Sequence, residues 1–418
     1  MRDGRWIWLR LAWRNLWRQK RRTAIQLAVV AGSVLIALWY NNLARGMYAA
    51  MIRDGVRSGS GHIGIYHPNY LSDRLVRQTV APDGLIDELR KLDHVVAVMP
   101  RVMLPGVARS SYELLPVAIV GADLDTEQAI NPILDAKRLV AGRLPSPGKR
   151  TVQAVVGARF AERLHLRVGS KFVFNAQNAD GELIATAMRV AGIVRTGLQE
   201  IDEGTLLVWR QDAAKLLGRP GHAHEIAVLL DRPNSIAELL PEVQARAAAR
   251  GAKAFRWEEA MPGLASGIRM DYAFLQAIVF VIFVLVAIGT VNILVMAVLE
   301  RIREFGILRA LGMERRQIGW LVLNEAVLVS LLGVAIGALL GFAATWYTWK
   351  YGIDLSEMMG GGSVEMEGVL VEPIMRATWD WAGMARLTGV LLLLSIAAAL
   401  YPLRLVLRVG PADAVRHY

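Results

Sequence analysis

Glu300–Met313, ERIREFGILRALGM, is a short charged stretch caught between two long apolar runs. At helical spacing Phe305, Leu308 and Leu311 fall on one side, and Glu300, Arg301, Arg303, Glu304 and Arg309 flank them. Gly306 and Gly312 permit a tight turn and a close approach at its ends. Charge at this density cannot stay in hydrocarbon, so the segment must lie at a membrane surface. An ordered apolar set there can press on a partner; arginines that merely snorkel would not require one.

The run before it, Tyr272–Leu299, contains no charged residue, and the run after it is Ile318–Tyr347. Two more such runs, Thr23–Leu43 and Trp381–Leu405, bring the number of candidate spans to four, each near the ~20 apolar residues a bilayer requires. Hydrophobic residues make up 54% of the 418 and charged residues 20%, which excludes an ordinary soluble protein of this size. The fold class expected is membrane α-helical, with four transmembrane helices and a large external α/β (α+β) domain. The boundaries read as an amphipathic helix at 1–22, span one at 23–44, the external domain at 45–270 and span two at 271–299. The charged segment follows at 300–317, then span three at 318–347, a short outer loop at 348–380, span four at 381–405 and a tail at 406–418.

Orientation follows from charge. Residues 1–23 hold eight Lys or Arg against Asp3 alone, and 300–317 holds five Arg against three Glu. Both sides of that count point to the cytoplasm. The loop between spans three and four is acidic, with Asp354, Glu357, Glu365, Glu367, Glu372 and Asp380 against Lys350 and Arg376, and reads as outside. Arg404, Arg408 and Arg416 place the tail inside. Both termini are therefore expected in the cytoplasm. The +11 net charge is explained by these clusters beside membrane spans, not by nucleic-acid binding.

Over residues 5–22, Trp6, Leu9, Trp13, Leu16 and Trp17 share one helical side and Arg10, Arg14, Arg18 and Arg21 the other. Interfacial Trp opposite Arg is the pattern of a helix lying flat on a membrane. No small-residue cleavage pattern follows the first apolar run, so it reads as an uncleaved anchor rather than a signal peptide.

The external region mixes both periods. Strands are expected at His62–His67, Leu115–Val120, Lys171–Asn175, Ala187–Val194, Thr205–Trp209 and Glu225–Leu230, with helices at Val152–Leu164 and Asn234–Arg250. Asn178–Glu182 (NADGE) signals a turn between two strands. Met358–Glu367 (MMGGGSVEME) reads as a flexible outer loop. Without cysteine the domain must be held by its core alone.

Other motifs carry less chemistry. Gly142–Arg150 (GRLPSPGKR) has five residues between its glycines and Arg150 where a magnesium-binding hydroxyl should stand, so no ATP site is expected. His62, His67, His165, His222, His224 and His417 lack metal spacing, and no nucleophile motif is present, so neither a metal site nor a catalytic residue is expected. Gly333, Gly337 and Gly341 form two small-xxx-small steps for close helix packing. Asn324 and Glu325 lie early in span three. An intramembrane carboxylate is a functional candidate by default, but a structural bond to Asn292 or to backbone is the equal expectation.

ERIREFGILRALGM, in its place after the second of four spans, resembles the coupling segment of FtsX/MacB-type ABC permeases. The opening LAWRNLWRQKRRTAI, the external AVVGARFAERLHLRVGSKFVF (Ala154–Phe174) and RVAGIVRTG (Arg189–Gly197), and the closing YPLRLVLRVGPADAVRH are similar to the same family, and above all to its lipoprotein-releasing LolC/LolE members. The resemblance implies a non-enzymatic permease subunit of the mechanotransmission type in a bacterial inner membrane, with a MacB-like periplasmic domain. A separate cytoplasmic ATPase would carry the ATP and magnesium; a second permease subunit, a lipoprotein or lipid-like substrate and a periplasmic carrier complete the implied partners. Acyl chains would lie between spans one and two of paired subunits, against Val34, Leu38, Tyr40, Leu43, Met47, Phe274 and Ile278. The hairpin at Asn178–Glu182 looks too short to recruit a carrier. Two alternatives stay open: MacB-like export of peptides or amphiphiles, and FtsX-like signalling to cell-wall hydrolases.

Overall fold

The computed structural model describes residues 10, 13, 14, 16–18, 20–356, 364–366, 369–371, 373–398, 400 and 404. In chain order the elements used below are α1 (Lys20–Ser58), β1 (Ile63–Tyr66), α2 (Leu85–Arg90), β2 (Val95–Arg109), β3 (Leu114–Ala122), β4 (Leu139–Gly142), β5 (Val152–Gly157), α3 (Ala158–Arg163), β6 (Lys171–Gln177), β7 (Leu183–Val194), β8 (Thr205–Trp209), α4 (Arg210–Leu216), β9 (Glu225–Leu230), α5 (Ile236–Ala248), β10 (Lys253–Arg256), α6 (Pro262–Glu300), α7 (Ile302–Ala310), α8 (Arg315–Tyr351), β11 (Ile353–Asp354), β12 (Val364–Met366), β13 (Val369–Val371), β14 (Ile374–Met375) and α9 (Trp381–Ala398). They form two compact units. One comprises Met1–Met47, Met270–Asp354 and Ile374–Tyr418; the other comprises Tyr48–Arg269 and Leu355–Pro373.

The second unit is built on one long strand. The first half of β2 pairs antiparallel with β9, which pairs with β1, which pairs with β10. Helix α5 covers this sheet with Ile236, Leu239, Val243 and Ala247. The second half of β2 belongs to a closed circuit: β2 pairs β3, β3 pairs β8, β8 pairs β5, β5 pairs β7, β7 pairs β6, and β6 returns to β2 at Gly106–Arg109. A closed sheet has no unpaired edge. Leu104, Ile119, Val156, Phe172, Phe174, Met188, Val190 and Leu206 fill its interior, plugged by Phe160 of α3.

Two expectations fail in this unit. Val152–Leu164 is not one helix but β5 followed by α3, because β5 is buried on both faces and shows no alternation. Part of the stretch expected to be a flexible outer loop is ordered: Val364–Met366 pairs with Val369–Val371 as a hairpin.

The other unit holds the apolar helices. Among the described residues, four helices are long and apolar enough to cross a membrane, beginning at Lys20, Pro262, Arg315 and Trp381. Helices α1 and α8 lie in close contact. A Cβ on Gly333 would sit 2.8 Å from Val30 Cβ, one on Gly337 2.5 Å from the Ala31 carbonyl oxygen, and one on Gly341 3.2 Å from Leu38 Cβ. The glycines let the backbones approach, and van der Waals contact replaces the hydrophobic drive that lipid does not supply. Gly337→Leu is therefore expected to destabilise this unit by about 1–3 kcal/mol through overpacking. Gly389→Ala, whose Cβ meets nothing within 4 Å, should be neutral. Thermal unfolding of both variants in detergent checks the contrast.

Candidate functional site

The chain between α6 and α8 is shaped by three local devices. Helix α6 stops at Glu300, and Arg301, at φ −106° and ψ 10°, breaks the axis before α7 begins. Span two and the charged segment are thus connected through a joint. At the far end Gly312 adopts φ +97°. Its N–H donates to the Arg309 carbonyl and the Met313 N–H to the Leu308 carbonyl, both at 3.0 Å. This is a Schellman closure, which glycine alone makes without strain. Glu314 then caps α8 through a reciprocal capping box with Gln317. Gly306 lies inside α7, not at an end.

The apolar set divides. Phe305 is buried with Val298, Ile318 and Val322, and Leu308 and Met313 pack on the same cluster. Leu311 is 80% exposed and Ile307 57%. Arg303, Ile307, Ala310 and Leu311 are all exposed and share one face at spacings of four, seven and eight. Phe305 and Leu308 therefore anchor α7 to its own bundle, and the outward face is the Ile307–Leu311 stripe. Ile307 is a residue the sequence reading missed, although its spacing of four from Leu311 was there to find it.

The charges form a network. Arg301 Nε donates to Glu304 and Arg301 Nη1 to Glu325, each at 3.1 Å, and its guanidinium lies 5.5 Å from the Phe305 ring centroid. Glu304 also accepts from Arg18, and Arg22 pairs with Glu300 at 3.2 Å. Partial burial pushes Glu304 up, but the hydrogen bonds from Arg301 and Arg18 outweigh it and hold the carboxyl below its ordinary range. Glu325 meets Arg301 rather than Asn292, and the Asn324 side chain donates to the Trp320 carbonyl. Arg303 is exposed.

The residues expected to line an acyl cavity are separated by the structure. Val34 and Leu38 are buried against Val334, Met384 and Leu391, and Leu43 is also buried; all three are removed from any open surface of this unit. Tyr40 and Met47 are half-buried, while Phe274 and Ile278 are exposed at 61% and 45%. Near them Arg45 bonds the Tyr272 hydroxyl at 2.7 Å and pairs with Asp380 at 2.9 Å.

Elsewhere, Asn178–Glu182 closes a short hairpin. The Asn178 side chain accepts from the N–H groups of Asp180 and Glu182, and Ala179 N–H donates to the Leu217 carbonyl, which ties the tip down. His224 accepts from Met103 N–H and sits 2.8 Å from the Val76 carbonyl, so backbone engages both ring nitrogens. Among the described residues no cluster of His, Asp and Glu could hold a metal. Of the amphipathic helix at 5–22 only part is described: Leu16 is buried, and Trp13 and Trp17 are exposed and meet edge to face. The tail at 406–418 lies outside the described residues.

Comparison with known proteins bears on this architecture. The model of the MacB-like periplasmic core domain matches residues 27–246, and that of the FtsX-like permease C-terminal domain matches 277–411. The chain belongs to the FtsX/MacB family of ABC transporter permeases. This permease is 23% identical over 335 residues to the lipoprotein-releasing system transmembrane protein LolC of Neisseria meningitidis serogroup B, covering 77% of this chain and 78% of that one. It is 39% identical over 87 residues to the macrolide export ATP-binding/permease protein MacB of Brucella abortus, 21% of this chain and 14% of that one. The periplasmic region of MacB from Actinobacillus actinomycetemcomitans overlays on 49% of this chain and 93% of its own, at 14% identity and a TM-score of 0.35.

Proposed function

We propose that this permease releases lipoproteins from the inner membrane for transfer toward the outer membrane, driven by a separate cytoplasmic ATPase that docks on α7. The observation that carries the reading is the likeness to LolC, which runs through most of both chains, where the stronger MacB identity covers a short segment. The exposed Ile307–Leu311 stripe supports a docked partner. In this reading both termini and α7 face the cytoplasm, residues 45–270 face the periplasm, and ATP and magnesium belong to the partner. ATPase closure moves α7, and the joint at Arg301 converts that movement into tilting of α6. A second permease subunit completes the acyl cavity, against the faces of Tyr40, Met47, Phe274 and Ile278. The docked hairpin tip leaves carrier recruitment to that second subunit.

The test is reconstitution. Proteoliposomes with this chain, its ATPase and the second permease should release a fluorescent triacylated lipoprotein to a soluble acyl-binding acceptor on addition of ATP. An ATPase variant that binds but does not hydrolyse should release none. ATP turnover with no lipoprotein release, together with extrusion of an amphiphilic peptide, would replace this reading with the MacB-like one.

A further inference from the structure

A cleft of about 700 Å³ opens between the start of α1 and the end of α6. Its rim is basic: Arg18, Lys20, Arg21 and Arg22 all line it, against the single carboxylate of Glu300. Two of these cations are already matched, Arg18 by Glu304 and Arg22 by Glu300. Lys20 and Arg21 are exposed, and among the described residues neither has a carboxylate partner. Next to them the lining is mostly apolar, with Asn292 its one uncharged polar side chain. Ile25 and Met296 line the cleft, at 60% and 51% exposure. Both lie on helices apolar enough to cross a membrane.

The order of these groups is that of a phospholipid. Two uncompensated cations stand at the end of an apolar helix, where a headgroup phosphate lies, and apolar side chains follow where the acyl chains begin. Basic pockets between transmembrane helices are recurrent sites for anionic headgroups. A soluble anion would use the cations and leave Ile25 and Met296 wet.

We propose that this cleft binds an anionic phospholipid, its phosphate on Lys20 and Arg21 and its acyl chains against Ile25 and Met296. Because Arg22 of this cleft pairs with Glu300, the last residue of α6, the lipid sits beside the joint between α6 and α7. The inference rests on α1 and α6 as membrane spans and not on the lipoprotein reading, so a different cargo would leave it standing.

The full chain, purified in a zwitterionic detergent, is titrated with phosphatidylglycerol, phosphatidylcholine and water-soluble glycerol phosphate, and bound molecules are counted by native mass spectrometry. Wild type should prefer phosphatidylglycerol over phosphatidylcholine, with the preference weakening at high salt. At about fivefold per cation, Lys20→Gln/Arg21→Gln should lower phosphatidylglycerol affinity about 25-fold. Lys149→Gln/Arg150→Gln, which removes the same charge from an exposed loop of the other unit, should leave it unchanged, and both double variants should unfold at the wild-type temperature. Equal affinity for glycerol phosphate and phosphatidylglycerol would overturn the lipid assignment in favour of a free phosphate site. Unchanged phosphatidylglycerol binding by the Lys20→Gln/Arg21→Gln variant would overturn the site itself.

Discussion

Ile307→Asp combined with Leu311→Asp is expected to remove the partner ATPase from the purified permease while leaving the permease folded. Leu311, the residue that caps the end of α7, and Ile307 within it are the most exposed large apolar side chains of this segment; in isolation they have no reason to be apolar. Interface anchors of this kind each cost about 2 kcal/mol or more when lost. Two carboxylates driven into an apolar groove add a desolvation penalty, so affinity should fall at least several hundredfold. The choice of side chains is decided by the structure. Glu304 and Leu308 are unsuitable targets, since Glu304 holds Arg301 and Arg18 and Leu308 packs on Phe305; changing them would loosen the bundle and mimic a docking defect. The measurement is pull-down of the ATPase with tagged permease at matched expression, with unfolding temperature as the control. ATPase retained by the double variant would mean that docking uses another surface.

The same helix shows how far sequence reading reaches. The apolar runs, the charged interruption and the turn at Gly312 were legible, because lipid demands about 20 apolar residues and a left-handed turn demands glycine. Which apolar side faces the partner was not. Phe305, Leu308 and Leu311 share a helical side, but Val298, Ile318 and Val322 claim the first two, and that competition is tertiary. The partner of Glu325 was equally hidden, since Arg301 lies 24 residues away beyond a helix break. In the other unit β8 and β9 matched their expected bounds. Strand β2 was missed; Pro100, Pro105 and Gly106 are residue types that oppose a strand interior, yet all three occupy paired positions. Its length is what joins the open sheet to the closed one, so the architecture turned on the one strand whose local signals opposed it.

That strand also carries the second large effect, at Arg101. Its guanidinium is fully buried and donates to both Glu127 oxygens at 2.6 and 3.1 Å, to Glu225 at 3.2 Å and to the Gly59 carbonyl just past the end of α1. Arg101→Met keeps the volume and removes the charge. It leaves two carboxylates and a carbonyl buried without their donor, and breaking a buried pair from one side costs about 3–5 kcal/mol. The loss should depend on pH in a defined direction. Burial already pushes the Glu225 carboxyl above its ordinary value, against the pull of Arg101, and without that pull it rises further. A carboxyl raised in the folded state contributes its stability below its unfolded value and loses it as pH climbs through the folded one. The deficit of Arg101→Met relative to wild type should therefore be smallest below about pH 4 and grow as pH rises through the raised folded-state value of Glu225. Replacing all three groups, with Arg101→Met, Glu127→Leu and Glu225→Leu together, should recover most of the stability, because an apolar set of similar volume avoids the desolvation. Chemical denaturation across pH separates the cases: a single variant whose deficit is flat with pH, or a triple variant as unstable as the single, would show that Arg101 acts by packing and not as the counter-charge of Glu225 and Glu127.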